Sequence, residues 1–538
     1  MSDTGKGAGA AAPSTEKGLS VAGRSSDRPA ARDRRHWSAW GPYALFGLVG
    51  LVLMFQSPLV PWSDTLIGVD SANYFYDGSR LLAGDTPYVD FFEHKGPLIM
   101  LVNAVGQALA GKAGVALIEW LFILVAASLA YATVRDLFGP LAAGIAVVAM
   151  EVEVGYQLHY GNRPEEYVLP FAVLALALLV RFVVKGKLGW LASIGFGATF
   201  ALAFAAKITS APLWAAFCLT IVVMLIAQRR WLDLGVAAGG FVAGAAAVIA
   251  PIVIWLASKG ALGACYDQMI VFNAEYASRK TAELAARVGA DWLGDFTVMV
   301  AVGVTGALLV WAIKHRRDAD PKRGIGQIAL LGGKLTCGQL TALTSANLAA
   351  LMSLLICVSL PGRVYEFYLM LLVPCYLLPM AFVWRAVVTM ARGGLTSSMV
   401  ACIATFAMVA WSVYPHLADV GVRVVISAVN KVLPAQQAVT DVVKTHSQPG
   451  ATVQVYGNES WIYLESGRTA ATRFQYLATD GGAPDAFTAE INEAIRQARP
   501  ELVVDINGGF VSAGLATGYE QVSTSARDGI RYDIYVRR

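Results

Sequence analysis

Apolar stretches of about twenty residues recur from Gly41 to about Pro415, and no other feature of the chain constrains its fold as strongly. A bilayer core is crossed by helices because every backbone N–H and C=O must find a partner inside the segment, and about 20 residues span its roughly 30 Å. Composition agrees: of 538 residues, 56% are hydrophobic and 15% charged, where about a quarter charged is usual for soluble domains. The chain is therefore expected to be an all-α polytopic membrane protein over most of its length. The net charge of +4 makes no case for nucleic-acid binding. Cys218, Cys265, Cys337, Cys357, Cys375 and Cys402 are scattered, without CxxC pairs, and read as packing residues rather than a disulfide frame or metal site.

Residues 1–40 mix Ala, Gly, Ser and Pro with Arg24, Arg28, Arg32, Arg34 and Arg35, too poor in large apolar groups to bury a core, and are expected to be a disordered basic tail. Pro42–Val60 follows without a small-residue cleavage site and is expected to be an uncleaved first span with its N-terminus in the cytoplasm. Further spans are expected at 113–134, 138–156, 167–184, 188–206, 211–227, 232–258, 293–313, 339–360, 364–388 and 397–415, about eleven in all. The segment 97–111 is short and carries Asn103 and Gln107, so it is expected to be a partly embedded or surface helix. With this count Arg135, Lys185, Arg229, Arg230, Lys314, Arg316, Arg317, Arg385 and Arg392 fall in cytoplasmic turns, the positive-inside pattern. The opposite compartment then receives the loops 61–96, 157–166 and 259–292, the residues around Lys207, Pro361-Gly362-Arg363 and the tail.

Residues 41–415 are thus expected to form the membrane domain, with a first external loop over 61–112, and 416–538 a soluble extracytoplasmic domain. In the latter, strands at Thr452–Tyr456 and Leu502–Ile506, a helix near Ala486–Arg499 and a hairpin near Tyr519–Val536 predict a small α/β fold. The Ala, Gly and Arg bias points to a bacterium of high genomic GC content, and so to its plasma membrane.

The chain has no Walker A run, no GxGxxG after a strand, no HExxH and no metal-ligand spacing among its six histidines. Asp318-Ala319-Asp320 offers paired acids but lies in a short basic turn, where a solvated loop is the plainer account. A donor carried by the membrane therefore suits this chain better than a nucleotide. The first external loop is dense in polar groups: Asp70-Ser71-Ala72-Asn73-Tyr74, then Pro87-Tyr88-Val89-Asp90 and Glu93-His94-Lys95-Gly96-Pro97-Leu98. Composition alone leaves two readings open, a site for a sugar and a phosphate together, or a capped surface helix followed by a turn.

This loop resembles the first external loop of the GT-C glycosyltransferase superfamily, in its protein-mannosyltransferase-like branch, which includes the aminoarabinose transferase acting on lipid A. The likeness continues at Arg163-Pro164-Glu165-Glu166, at Phe204-Ala205-Ala206-Lys207 and at Arg363-Val364-Tyr365-Glu366-Phe367-Tyr368. The resemblance implies a GT-C fold and transfer of a sugar from a polyprenyl-phosphate donor to a cell-envelope glycan, lipid or protein on the extracytoplasmic face. It also implies that Asp70 takes the proton of the acceptor hydroxyl and that Lys95 contacts the lipid phosphate. The chain departs from the family in having Asp70-Ser71 for Asp-Glu and Lys95-Gly96-Pro97 for Lys-Pro-Pro.

Physical chemistry gives these residues matching work. A carboxylate activates an acceptor hydroxyl, and fixed cations stabilise the charge that grows on a departing phosphate. Lys95, Lys207 and Arg363 are the candidate cations. Snorkelling at span ends is an equal alternative for Lys207 and Arg363. For Glu165 and Glu166 the choice lies between shaping a sugar site and capping a helix. Tyr74 is a further candidate contact, and Tyr365 and Tyr368, one turn apart, are candidates for sugar stacking or for interfacial anchoring. Asp77, Asp90 and His94 are candidate ligands for acceptor or a divalent cation, with solvation the plainer account of His94. No metal site is assigned and no cofactor is certain. Rival functions are a transporter or flippase of lipid-linked sugars and a non-catalytic envelope scaffold.

Overall fold

The computed structural model describes residues 30–61, 63, 67–158, 161–278, 282–315, 335–392, 418, 421, 434–477, 485–527 and 529–538. The chain divides into two compact units, 1–42 and 43–538. In the first, the described residues open the helix α1 (Ala30–Met54), which starts about ten residues before the expected tail boundary; Ala30-Ala31-Arg32 are strong helix formers, and the first proline after them is Pro42.

The second unit continues with α2 (Val69–Leu82), α3 (Pro97–Ala110), α4 (Lys112–Phe138), α5 (Pro140–Leu158), α6 (Pro164–Lys185), α7 (Trp190–Ala206), α8 (Ala211–Ala227) and α9 (Trp231–Ser258). The short α10 (Leu262–Tyr266), α11 (Phe272–Ser278) and α12 (Ala282–Gly294) precede α13 (Phe296–His315), α14 (Cys337–Ser359) and α15 (Val373–Ala391). Among the described residues, 8 helices are long and apolar enough to cross a membrane, and Trp40–Met54, Pro97–Ala110 and Trp190–Ala206 are shorter apolar helices. The protein is a multi-pass membrane protein. The expected span 188–206 corresponds to a helix too short to count by length, the expected span 42–60 overlaps α1 only through the shorter apolar stretch Trp40–Met54, and 397–415 lies outside the described residues. Close packing replaces hydrophobic driving force where helices meet in lipid. At Gly197 on α7 a Cβ would stand 1.9 Å from the Phe241 carbonyl oxygen of α9, so only glycine permits that approach.

α3 is short, as expected for 97–111, and it docks on its neighbours. Asn103 donates to Ile99 O at 2.9 Å and to Asn162 Oδ1 at 3.0 Å, while Gln107 donates to the Phe75 carbonyl of α2 at 2.8 Å. Its two internal polar residues bind protein, which is why an apolar helix can carry them.

The tail forms a five-stranded sheet of order β2-β1-β3-β5-β4, from β1 (Thr452–Tyr456), β2 (Thr469–Ala470), β3 (Leu502–Ile506), β4 (Tyr519–Arg527) and β5 (Ile530–Arg537). β1 is parallel to β2 and β3, and β5 is antiparallel to β3 and β4. The helix Asp485–Ala498 makes the crossover to β3 and buries Phe487, Ile491 and Ile495, spaced one turn apart. The expected strands, helix and hairpin are all present.

This sheet is joined to the segment between α2 and α3 by an aromatic plug. Phe92 is 0% exposed, with ring centroids of Phe487 at 4.5 Å, Phe272 of α11 at 5.3 Å and Phe474 at 6.0 Å. Phe92 N donates to Arg473 O at 2.7 Å, and Tyr76 on α2 accepts from Ala470 N at 2.8 Å. Loop and tail therefore share one apolar core.

Candidate functional site

Helix ends gather around one cavity of about 690 Å³. Residues at the start of α6, between α7 and α8, and at the end of α14 all border it. Polar residues at those ends line the cavity together with the start of α2, the segment 94–96, the α10–α11 region and two residues of the tail. Asp70, Tyr74, Lys95, Glu165, Lys207, Arg363, Tyr365 and Tyr368 all reach it.

Asp70 stands in the first turn of α2 and accepts from Arg163 Nη1 at 2.8 Å through Oδ2. The guanidinium carbon of Arg163 lies 3.7 Å from the Phe367 ring centroid, a cation–π contact that fixes it in the plane needed for the pair. Burial pulls the Arg163 guanidinium down, but Asp70 and Glu165 outweigh it and hold it above its ordinary value. Lys207 follows α7 directly and is ion-paired with Glu165, its Nζ 4.3 Å from the Tyr368 ring centroid. Burial lowers the Lys207 ammonium to about 8, against the opposing pull of Glu165. Arg363 donates to Tyr365 Oη at 3.1 Å. Tyr74 is buried, and that burial, with Asp70 and Glu93 nearby, raises its hydroxyl well above the usual range.

Lys95 forms no ion pair among the described residues; its ammonium donates to His94 Nε2. The backbone behind it is fixed tightly. Tyr88, at φ 68°, donates its hydroxyl to Lys95 O at 2.9 Å and accepts from Gln268 Nε2 at 2.6 Å through its own carbonyl. Gly96 explains one departure from the family pattern: a Cβ there would stand 2.0 Å from Ala205 O, where the end of α7 crosses the loop.

Three expectations are corrected. Glu166 does not line the cavity; it accepts from Asn162 N at 3.1 Å and Arg163 N at 3.2 Å, capping α6 and holding the turn that aims Arg163. Asp90 is a turn residue, its Oδ2 accepting from Thr86 N at 2.7 Å. His94 is not solvated: Phe92 draws the segment into the tail, leaving the His94 side chain 17% exposed between Phe272 and Tyr476. Burial, with Lys95 and Lys207 close by, depresses its pKa well below the usual value. Asp77 is buried too; among the described residues no three His, Cys, Asp or Glu are grouped to hold a metal ion.

Sequence reasoning missed Arg163, Asn273, Asn458 and Tyr476 as cavity residues. Arg163 was quoted as part of a motif without a role. Asn458 and Tyr476 come from the tail, 385 and 382 residues from their partners Asn73 and His94, and no spacing rule reaches that far. Asn458 Oδ1 accepts from Asn73 Nδ2 at 2.9 Å, tying the tail to α2.

Known proteins share this architecture. Residues 94–255 match the family model of dolichyl-phosphate-mannose-protein mannosyltransferase. No curated protein matches the chain by sequence. The crystal structure of ArnT from Cupriavidus metallidurans in the apo state matches with a TM-score of 0.57 and 14% identity, over 93% of this chain and 98% of that one. The same protein bound to undecaprenyl phosphate gives 0.55 and 13%, over 92% and 98%. The archaeal oligosaccharyltransferase AglB from Archaeoglobus fulgidus, in complex with an inhibitory peptide and a dolichol-phosphate, gives 0.50 and 13%, over 92% of this chain and 74% of that one. At such identities the likeness is one of fold, and it extends over nearly the whole chain. The chain has the GT-C fold, and its sequence likeness to the protein-mannosyltransferase family covers residues 94–255.

Proposed function

We propose that the protein transfers a sugar from a polyprenyl-phosphate donor to a hydroxyl of a cell-envelope glycan, lipid or protein, on the extracytoplasmic face and with inversion at the anomeric carbon. The observation that carries this reading is the shared cavity of Asp70, Lys95, Lys207 and Arg363. The fold and the family match support glycosyl transfer from a lipid-linked donor as the class of activity.

In this mechanism Asp70 accepts the proton of the acceptor hydroxyl as its oxygen attacks the anomeric carbon. Arg163, gripping Asp70 Oδ2 and stacked on Phe367, holds that carboxylate at the cavity wall. As the glycosidic bond breaks, its electron pair passes to the phosphate oxygen. Lys95 and Arg363, with Lys207 sharing its charge with Glu165, stabilise that oxygen. Glu165, Tyr74, Tyr365 and Tyr368 offer the acceptors, donors and ring faces that a sugar needs. A divalent cation as further requirement would have to be met by groups other than a His, Cys, Asp or Glu cluster of the described residues.

A transporter needs polar groups along a midplane path, whereas the cavity's polar side chains gather at helix ends. The test is a transfer assay with defined polyprenyl-phosphate sugars on the protein in lipid nanodiscs. Turnover by the wild type and its loss in Asp70→Asn, with polyprenyl phosphate still bound, are expected. Lipid translocation without any glycosyl product would overturn the reading in favour of a flippase.

A further inference from the structure

One cation of the cavity is held by a hydrogen-bond chain that ends in the tail domain. Lys95 Nζ meets His94 Nε2; His94 Nδ1 lies 2.8 Å from Tyr476 Oη; Tyr476 Oη lies 3.3 Å from Glu93 Oε1. Glu93 Oε1 in turn accepts from Lys95 N at 2.8 Å, closing a ring around the loop.

The chain has a direction, and Lys95 sets it. An ammonium only donates, so Nε2 must carry a lone pair. A neutral imidazole with a free Nε2 has its proton on Nδ1, which donates to Tyr476 Oη, and the tyrosine hydroxyl then donates to Glu93. Protonated His94 would point an Nε2–H at the Lys95 ammonium inside a buried site, which burial and the two neighbouring lysines both oppose.

The far end of the chain is equally constrained. Asp77 and Glu93 are neighbours, both 0% exposed, and Asp77 Oδ2 and Glu93 Oε2 have no hydrogen-bond partner among the described residues. Burial first, then the charge of Glu93, raises Asp77; burial raises Glu93 while Lys95 pulls it back. One proton shared by the pair satisfies both orphan oxygens and leaves a single negative charge facing Tyr476 and Lys95. Gln475 secures this arrangement from the tail, donating to Asp77 Oδ1 at 2.8 Å and to Phe92 O at 2.6 Å. Phe92 and Phe272 cover the ring of His94, and Asn273 Nδ2 donates to His94 O at 2.7 Å.

We propose that Tyr476, contributed by the C-terminal sheet domain, is a positioning residue for Lys95: it locks His94 as the neutral Nδ1–H tautomer, so that Nε2 stays an acceptor that holds the Lys95 ammonium at the cavity wall. The tail domain thereby sets how the cavity meets an anion. The proposal rests on the transferase reading only for the identity of that anion as a lipid phosphate.

The test uses the full chain in nanodiscs with ring-15N-labelled histidine, the His94 signals being assigned by their loss in His94→Gln. In the wild type near neutral pH, Nδ1 is expected to be protonated and Nε2 unprotonated. Tyr476→Phe removes only the hydroxyl, so the Nδ1–H loses its acceptor and the Nε2–H tautomer should become populated. Binding of undecaprenyl phosphate should weaken about tenfold, equivalent to about 1.4 kcal/mol. A wild-type His94 protonated on Nε2 overturns the proposal without any variant. So does a Tyr476→Phe protein that keeps the wild-type tautomer, or one that switches tautomer while binding undecaprenyl phosphate as before. Failure of the wild type to transfer sugar from any polyprenyl-phosphate donor would remove the transferase reading instead, and leaves the tautomer measurement to decide the relay.

Discussion

Replacing Phe92 by alanine should unhook the segment between α2 and α3 from the tail. Phe92 is 0% exposed and lies 4.5 Å from Phe487, 5.3 Å from Phe272, 5.6 Å from Tyr476 and 6.0 Å from Phe474, ring centroid to ring centroid. Removing a fully buried phenyl ring costs about 3–5 kcal/mol. Taking about 4 kcal/mol, the docked arrangement loses roughly a thousandfold in population relative to the undocked one. Backbone hydrogen bonds such as Phe92 N to Arg473 O remain, so both halves should stay folded while their junction opens. Hydrogen exchange read by mass spectrometry checks this directly: amides over 84–96 and 471–477 should exchange far faster in Phe92→Ala. Phe510→Ala is the control. Phe510 is also 0% exposed, but it packs on Tyr519, Tyr535 and Tyr456 within the tail. It should loosen the sheet and leave 84–96 protected. Equal exchange in the loop for both variants, or no change in Phe92→Ala, would refute the argument that this ring is the plug.

Other outcomes follow from the cavity. Asp70→Asn keeps an acceptor for Arg163 but loses the base, so kcat/KM should fall about 10²- to 10⁴-fold with undecaprenyl phosphate binding retained; a loss under about tenfold in a radiolabel transfer assay rules Asp70 out as the base. Lys95→Met should lower kcat about 10²- to 10³-fold and weaken binding of the lipid phosphate, measured by titration in nanodiscs, where an unchanged affinity would remove Lys95 from the phosphate site. The Lys207 ammonium, at about 8, is charged and paired with Glu165 below that pH and loses its proton above it, so donor KM should climb as pH rises through about 8. Lys207→Arg, which does not titrate there, should extend the plateau to higher pH, and an alkaline limb identical to the wild type would assign that limb to another group. The sign for stability is the reverse: the folded pKa lies below the ordinary 10.5, so between about 8 and 10.5 the unfolded chain binds more protons and this group makes stability rise with pH.

The membrane helices were legible because hydrocarbon imposes a length and polarity that sequence cannot disguise, and the tail's strands because alternation and the helical spacing of Phe487, Ile491 and Ile495 are local patterns. Candidate residues at span ends, Lys207 and Arg363, were legible for the same reason. What stayed hidden was partnership. Nothing near Asp70 in sequence announces that Arg163 grips it, or that Glu166 is spent on the two amides before it. His94 looked solvated because its local sequence is polar, yet its burial is decided by a phenyl ring two residues earlier that docks with Phe487. Local rules describe elements; a site assembled across hundreds of residues by an aromatic plug lies beyond them.

The charge of the cavity argues for where its binding energy is directed. Its lining carries Lys95, Arg163, Lys207 and Arg363 against the two carboxylates of Asp70 and Glu165, with His94 neutral. Arg163 and Lys207 are engaged by those carboxylates, so the lining's positive excess includes Lys95, which forms no ion pair among the described residues. A sugar phosphodiester carries one negative charge, and the phosphate monoester left after transfer approaches two. A cavity with positive excess therefore binds the departing group more strongly than the donor, and part of that difference is already felt in the transition state, where it speeds bond cleavage. The same preference must slow release of the lipid phosphate. Undecaprenyl phosphate should accordingly inhibit by competing with the donor, and more tightly than the donor binds. Raising salt should weaken inhibition less than it would for a fully exposed ion pair, because the cavity leaves these charges only partly exposed. Inhibition no stronger than donor binding would mean that the excess charge is compensated by something other than the leaving phosphate.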